Sequence, residues 1–314
     1  MLINKLLKIK YPVIQGAMAN IATAEFAAAV SNIGGLGVIG AGAMDGEQAR
    51  AEIRKCKELT DKPFGINVML VNPYTDEIMK VITEEKVAVV TTGAGNPGKY
   101  VAMLKESGAK IIPVVAGVAL AIRMERLGVD GLIAEGCEAG GHIGEMTTMA
   151  LIPQIRDAVK IPVIAAGGIA DSRGFVAALS LGADGVQIGT SLLVSKECPI
   201  HESYKKAVIK AKDSSTTVTG RSLNMPVRVM KNRMSRKYLQ LEKEIDCKEE
   251  MERLTLGSLR RAVFEGDIDD GSVMMGQIAG LCNEERTIAE ILDDIVGNGM
   301  KVMDCIGEKL GDLQ

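Results

Sequence analysis

The sequence predicts an α/β chain folded as a (β/α)8 TIM barrel with a small inserted, mostly helical subdomain after the eighth strand. Three observations predict it. Eight short apolar runs rich in β-branched residues recur between Pro12 and Thr190, and each leads through a loop, commonly glycine-bearing, toward an amphipathic stretch rich in Ala, Lys, Glu and Leu. The runs are continuous rather than alternating, which marks strands buried on both faces. The length of 314 residues suits one barrel, for which roughly 250 residues suffice, with an appendage.

In chain order the runs are Pro12–Met18, Gly35–Gly40, Phe64–Leu70, Val87–Gly93, Lys110–Val115, Gly131–Gly136, Pro162–Gly168 and Gly185–Thr190. Between them lie helical stretches at Thr23–Asn32, Gly46–Thr60, Tyr74–Glu84, Pro97–Ser107, Val118–Leu127, Thr147–Val159 and Ser172–Leu181. The spacing is that of right-handed βαβ crossovers. A doubly wound open sheet is the alternative; a count that stops at eight and the absence of a G-x-G-x-x-G turn after the first run, where Gln15-Gly16-Ala17-Met18 stands, weigh against it. The βα rhythm ends after Thr190. Residues 1–198 are therefore read as the barrel, 199–282 as the inserted subdomain near the substrate entrance, and 283–314 as the returning last helix, with Asn283 as its N-cap.

Composition excludes several classes. No apolar run approaches the roughly 20 residues of a membrane span, and the N-terminal residues Met1–Lys8 run into Pro12–Gln15 without a signal-type apolar region, which points to the cytoplasm. The net charge of −3 argues against a nucleic-acid binder. Six scattered cysteines and two histidines build neither a disulfide framework nor a metal site. With aromatics at 3% and Met at 17, the core must be aliphatic and methionine-rich.

Barrel enzymes carry their chemistry on the loops after the strands, and phosphate commonly binds after strands 7 and 8. Those loops read Ala165-Ala166-Gly167-Gly168-Ile169 and Gln187-Ile188-Gly189-Thr190. Glycines there let backbone N–H groups approach an anion, and the bland reading as tight turns accounts poorly for both loops at once. The cradle alone fits FMN or a sugar phosphate. Gln15, Gly16 and Met18 at the end of the first run, Asn67 in the third and Gln187 in the eighth offer amides and backbone groups to a flavin ring; a buried amide is otherwise a core group that has found a partner. The loop after the sixth run, Glu135 to Gly144, joins His142 to two carboxylates and the glycines Gly140 and Gly141. His142 is the catalytic candidate, suited to proton traffic near neutral pH. Cys137 lacks an evident activating base and His201 lies beyond the barrel, so both are read as structural.

Six segments carry a resemblance: Tyr11–Gly16 (YPVIQG), Asp61–Met69 (DKPFGINVM), Val90–Pro97 (VTTGAGNP), Glu138–Gly144 (EAGGHIG), Ala165–Asp171 (AAGGIAD) and Asp270–Gly280 (DGSVMMGQIAG). Over almost the whole chain the sequence resembles the flavin-dependent enoyl-acyl-carrier-protein reductase II family, itself similar to nitronate monooxygenases (2-nitropropane dioxygenases). The resemblance implies FMN held by Gly16, Ala17, Met18, Asn67, Glu135, Gly140, Gly141, Ala166, Gly167, Gly168, Gln187, Gly189 and Thr190, with His142 beside the reactive ring. It further implies NADH or NADPH as co-substrate, a trans-2-enoyl thioester as acceptor, a homodimer, and a response to a monovalent cation. The first loop departs from the family pattern, lacking a second glycine and an aromatic after Met18.

The alternative within the resemblance is a nitronate monooxygenase using FMN and oxygen. What separates the two is a surface for an acidic acyl carrier protein: Arg221, Arg228, Lys231, Arg233, Arg236 and Lys237 fall in one segment without a carboxylate. Such a cluster steers an acidic partner, or is simply a solvated face. A flavin-free sugar-phosphate barrel would use the same cradle, but few carboxylates or lysines stand at the other strand ends; a non-catalytic binding protein would leave His142 without a role.

Overall fold

The computed structural model describes residues 2–244 and 247–312. Eight parallel strands form the barrel: β1 (Val13–Gln15), β2 (Gly37–Gly40), β3 (Phe64–Met69), β4 (Val89–Gly93), β5 (Lys110–Val115), β6 (Leu132–Glu135), β8 (Val163–Ala166) and β9 (Gly185–Ile188). The remaining strands, β7 (Gly141–His142), β10 (Thr216–Thr219) and β11 (Val227–Met230), form a separate antiparallel sheet in the order β10-β11-β7. The barrel order is β1-β9-β8-β6-β5-β4-β3-β2, and a parallel bridge between Ile14 and Leu36 closes the ring. At that seam Gln15 N–H donates to Leu36 O at 2.9 Å and Leu36 N–H to Val13 O at 2.9 Å. The Gln15 side-chain Oε1 accepts from Val38 N at 3.4 Å, standing in for a ladder carbonyl.

The eight apolar runs are all strands; Lys110–Val115 keeps its full extent and the other seven are shortened at one or both ends. The first stops at Gln15 because the chain then turns: Met18 O accepts from Ile21 N and Ala22 N at 3.0 and 2.8 Å. Helices start where short polar side chains take up free N–H groups. Thr23 caps Ala24–Ile33, Asp45 and Gln48 form a capping box on Gly46–Leu59, and Asp171 caps Ser172–Ser180 through Arg173 N and Gly174 N. The stretch Pro97–Ser107 is a 3-10 turn, Pro97–Tyr100, leading into a short helix, Val101–Glu106.

Side chains from β1, β2, β4, β5, β6 and β8, namely Ile14, Val38, Val89, Ile112, Ile133 and Ile164, fill the barrel axis. Its N-terminal mouth is plugged by the helix Ile3–Leu7, whose Ile3 and Leu7 join the same cluster and whose Ile3 N bonds Asp184 O at 2.7 Å. A larger aliphatic layer lies between sheet and helices. With the bottom closed by apolar packing, the polar chemistry is left to the C-terminal ends of the strands.

Two C-terminal expectations are corrected. The last helix is not capped by Asn283; it begins after Thr287, whose hydroxyl and Glu290 make a capping box. Nor is the returning segment one helix: it is broken at Asn298 into Ile288–Gly297 and Gly299–Gly311, because Gly297, Asn298 and Gly299 are consecutive weak helix formers. The first piece packs against Ala24–Ile33 and Ser172–Ser180 and closes the outer ring. Residues 199–282 carry helices Glu202–Ile209, Arg233–Leu241 and Lys248–Thr255 together with the β10–β11 hairpin. No helix among the described residues is long and apolar enough to cross a membrane.

Helix Ala24–Ile33 lies so close to β2 that a Cβ on Gly37 would stand 1.8 Å from the Ala27 carbonyl oxygen. Gly37→Ala is expected to yield no soluble folded protein. Gly117→Ala, where a Cβ meets nothing within 4 Å, is expected to leave the melting temperature unchanged; circular dichroism of the two variants checks the pair.

Candidate functional site

A pocket opens at the C-terminal ends of β1, β6, β8 and β9. It is lined by Gly16, Ala17 and Met18 after β1; by Glu135, Glu138, Ala139 and Gly140 at and after β6; by Ala166, Gly167, Gly168 and Ile169 after β8; by Gln187, Ile188, Gly189 and Thr190 around the end of β9; and by Ile278. Of the residues singled out from the sequence, Gln15, Asn67, Gly141 and His142 fall outside this lining; Gln15 is fully buried and tied to Val38 at the barrel seam. Asn67 is buried on β3 and donates through Nδ2 to Thr91 Oγ1 at 2.9 Å.

The glycines make different contributions. Gly167 and Gly168 have φ of +95° and +74°, a conformation that only glycine adopts without strain. Gly167 is also packed against backbone, its Cβ position lying 2.9 Å from Gly136 O. Beside Gly168 and Gly189 there is room: the nearest atoms to an added Cβ are Glu138 Cβ at 3.5 Å and Met18 Sδ at 3.7 Å. The N–H groups of Gly168, Ile169 and Gly189 donate to no other described residue, and the buried Gln187 amide makes no hydrogen bond among them either. Buried donors without partners are costly, so these groups form a ready anion and amide-recognition surface. The N-terminus of helix Ser172–Ser180 is not part of it, being already capped by Asp171.

The loop after β6 is the most heavily tied segment of the site. Glu138 accepts from Thr148 N, at 3.0 Å to Oε1 and 2.9 Å to Oε2, and from Thr148 Oγ1 at 3.0 Å, so it caps the helix Thr148–Ala158. Thr148 Oγ1 also donates to Gly167 O at 2.9 Å, linking the β6 and β8 loops. From the other side, Gln277 N donates to Glu138 O and Gly276 N to Thr190 Oγ1, both at 2.9 Å. Gly140 and Gly276 permit this approach: a Cβ on Gly140 would lie 2.7 Å from Met275 C, and one on Gly276 2.6 Å from Glu138 O.

The segment read as a glycine loop around His142 is in fact an edge strand. Gly141 and His142 form β7, pairing antiparallel with β11 in the register Val227 with His142 and Arg228 with Gly141, and Ile143 N adds a bond to Pro226 O at 3.1 Å. The inserted segment thus presents the histidine. Sequence patterning could not show this, since two residues are too short for a strand signal. Missed as well were Glu138, Ala139, Ile169 and Ile278; the repeated glycines of Asp270–Gly280 were the available sign that Ile278 approaches the site.

Burial sets the charges here. Desolvation pushes the Glu135 carboxyl up to about 7, with no hydrogen bond or ion pair to another described residue. His142 is exposed by area, yet its surroundings desolvate the imidazole enough to lower its pKa below the ordinary value. Burial, followed by the Glu138 charge, raises the Cys137 thiol, consistent with a structural role. His201 caps Glu202–Ile209, its Nδ1 accepting from Ser203 N at 3.1 Å. The basic cluster is divided. Arg221 pairs with Glu145 at 2.5 Å, Arg233 pairs with Asp270, and Arg228 is buried at 7% exposure, so its place in a surface patch is corrected; Lys231, Arg236 and Lys237 remain exposed without an ion pair among the described residues.

The sequence pattern of the nitronate monooxygenase family matches residues 1–84 and 72–298. The chain belongs to the nitronate monooxygenase family. The structure of FabK from Thermotoga maritima superposes with a TM-score of 0.95 at 47% identity, covering 98% of both chains. A probable nitronate monooxygenase of Staphylococcus saprophyticus is 32% identical over 96% of this chain and 98% of its own length. A bicyclic carboxyl-CoA dehydrogenase of Rhodococcus jostii, a (3aS,4S,5R,7aS)-5-hydroxy-7a-methyl-1-oxo-octahydro-1H-indene derivative being its substrate, is 30% identical over 97% of each.

Glu135 makes stability pH-dependent in a definite direction. Its folded-state pKa is raised from 4.5 to about 7, so between those values the native state holds a proton that the unfolded chain has released, and stability falls as pH rises through that window. For protein free of bound ligand, Glu135→Gln is expected to remove this slope, gaining about 3 kcal/mol on the wild type between pH 4 and pH 8. Urea denaturation across that range checks it; parallel curves contradict it.

Proposed function

We propose that this protein is an FMN-dependent enoyl-acyl-carrier-protein reductase, in which NADH or NADPH supplies the electrons that reduce a trans-2-enoyl thioester in fatty acid elongation. The observation that carries the reading is the pocket itself: unbonded N–H groups of Gly168, Ile169 and Gly189, with open space beside two of these glycines and an unpaired Gln187 amide in the same lining. This donor set fits a phosphate joined to a polar heterocycle. FMN bound there would accept hydride from the nicotinamide and return it to the β-carbon of the enoyl group.

In this reading Gly168, Ile169, Gly189 and Thr190 hold the phosphate, Gln187 and the backbone of Gly16–Met18 meet the ring edges, and Glu135, whose carboxyl burial raises to about 7, donates a hydrogen bond in its protonated form. Gly140 and Gly141 let the loop approach the ring closely, with Asn67 supporting from β3. His142, neutral at pH 7, orients the thioester and moves a proton at its imidazole. Lys231, Arg236 and Lys237 offer the acidic carrier protein a cationic face. The same reading takes the enzyme to be cytoplasmic, homodimeric and responsive to a monovalent cation.

A second reading, nitronate monooxygenase, draws support from the family match and the 32% identical staphylococcal relative. The reductase reading draws on the six segments, the 47% identity with FabK and a relative whose substrate is likewise an acyl thioester.

Two substitutions test the assignment. Gly189 has φ −123°, outside the left-handed region reserved for glycine, and Gly189→Val adds bulk at the cradle; it is expected to give folded, colourless protein, and stoichiometric FMN in it contradicts the cradle. His142→Ala is expected to retain FMN while enoyl-thioester turnover drops about 100-fold or more. Flavin loss with normal turnover after reconstitution contradicts the catalytic role.

A further inference from the structure

Arg228 sits on β11 with 7% of its surface exposed and makes no ion pair or hydrogen bond with a described carboxylate, the Glu138 charge acting on it from farther off. Its Nε and Nη2 both donate to the carbonyl oxygen of Cys137, at 3.0 and 2.9 Å, and Nη1 donates to Thr216 Oγ1 at 3.2 Å on β10. A buried guanidinium bonded only to neutral oxygens is expensive, and an aliphatic side chain would fill the same strand position without that penalty. Its desolvation is large enough to lower its own pKa. What the cation achieves is specific: it grips the segment that leads into His142.

The segment is anchored to β11 twice. At Cys137 the anchor is the Arg228 side chain; at Gly141 and His142 it is the backbone ladder, in which Arg228 is itself the register partner of Gly141. Glu138, Ala139 and Gly140, which line the pocket, span the interval between the anchors. We propose that Arg228 is a positioning residue for the reaction: by clamping the Cys137 carbonyl it sets where His142 stands relative to the pocket. The proposal rests on the reading of His142 as the group that acts on substrate. Lysine would not substitute fully, because one ammonium lacks the planar fork that delivers two N–H groups to the carbonyl while a third reaches Thr216.

The test uses Arg228→Met and Arg228→Lys in the FMN-loaded enzyme. Arg228→Met is expected to keep stoichiometric flavin and a KM for NADH within twofold, with kcat for the enoyl thioester reduced about 30-fold; Arg228→Lys recovers part of that loss. The second readout does not depend on activity. The chain has only two histidines, so imidazole NMR titration follows His142 with His201 as internal reference. In Arg228→Met the His142 resonances and titration midpoint move and those of His201 stay; Arg228→Lys moves them less. Should the wild type fail to reduce enoyl thioesters, the functional reading falls while the His142 titration still decides the clamp. Unchanged His142 resonances in both variants overturn the proposal, as does a loss of kcat that Arg228→Lys leaves unrelieved and that tracks loss of flavin. If Arg228→Met is insoluble, Arg228→Lys carries both readouts.

Discussion

The site depends on one close approach of backbone to backbone. Residues 138–140, after β6, lie against Met275 and Gly276 at a separation that leaves no room for a Cβ on either Gly140 or Gly276. That contact lets Gln277 N reach Glu138 O and Gly276 N reach Thr190 Oγ1. Barrel mouth and inserted segment thereby become one wall, in which the β9 loop, the β6 loop and Ile278 share a lining. A methyl group at either glycine would push these apart, and the pocket would lose a side rather than a single contact.

Around the pocket the ionisable groups behave differently from freely solvated ones. Glu135 holds its proton to about pH 7, His142 surrenders its own more readily than usual, and Arg228 keeps its charge at a cost met by two carbonyl bonds and a hydroxyl. All three shifts have burial as their leading cause. The pocket region thus combines a carboxyl raised to about 7, an imidazole lowered below its ordinary value and a fixed cation, an arrangement suited to chemistry in which charge develops on a bound substrate.

The barrel was legible because its signal is repeated: eight apolar runs each had to be buried on both faces, and each is a strand. The pocket's glycines were legible because Gly167, Gly168 and Gly189 fall together at the ends of neighbouring strands. What stayed hidden is non-local. Nothing around His142 announces a strand, since β7 exists only through pairing with Val227 and Arg228, far along the chain. Arg228 itself reads as one cation among six, and its burial follows from the carbonyl it meets across 91 positions of sequence. Asn283 and Thr287 are both competent caps; Glu290, placed to complete a capping box with Thr287, decides between them.

The measurement that tests the central claim most directly is anaerobic mixing of the purified protein with NADH, followed by crotonyl thioester, while flavin absorbance is recorded. The account predicts rapid bleaching by NADH and recovery of the oxidised spectrum on adding the enoyl thioester. Bleaching by an alkyl nitronate instead, with slow or no reaction toward NADH, would contradict the reductase assignment, and a protein that carries no flavin absorbance would contradict the account of the pocket.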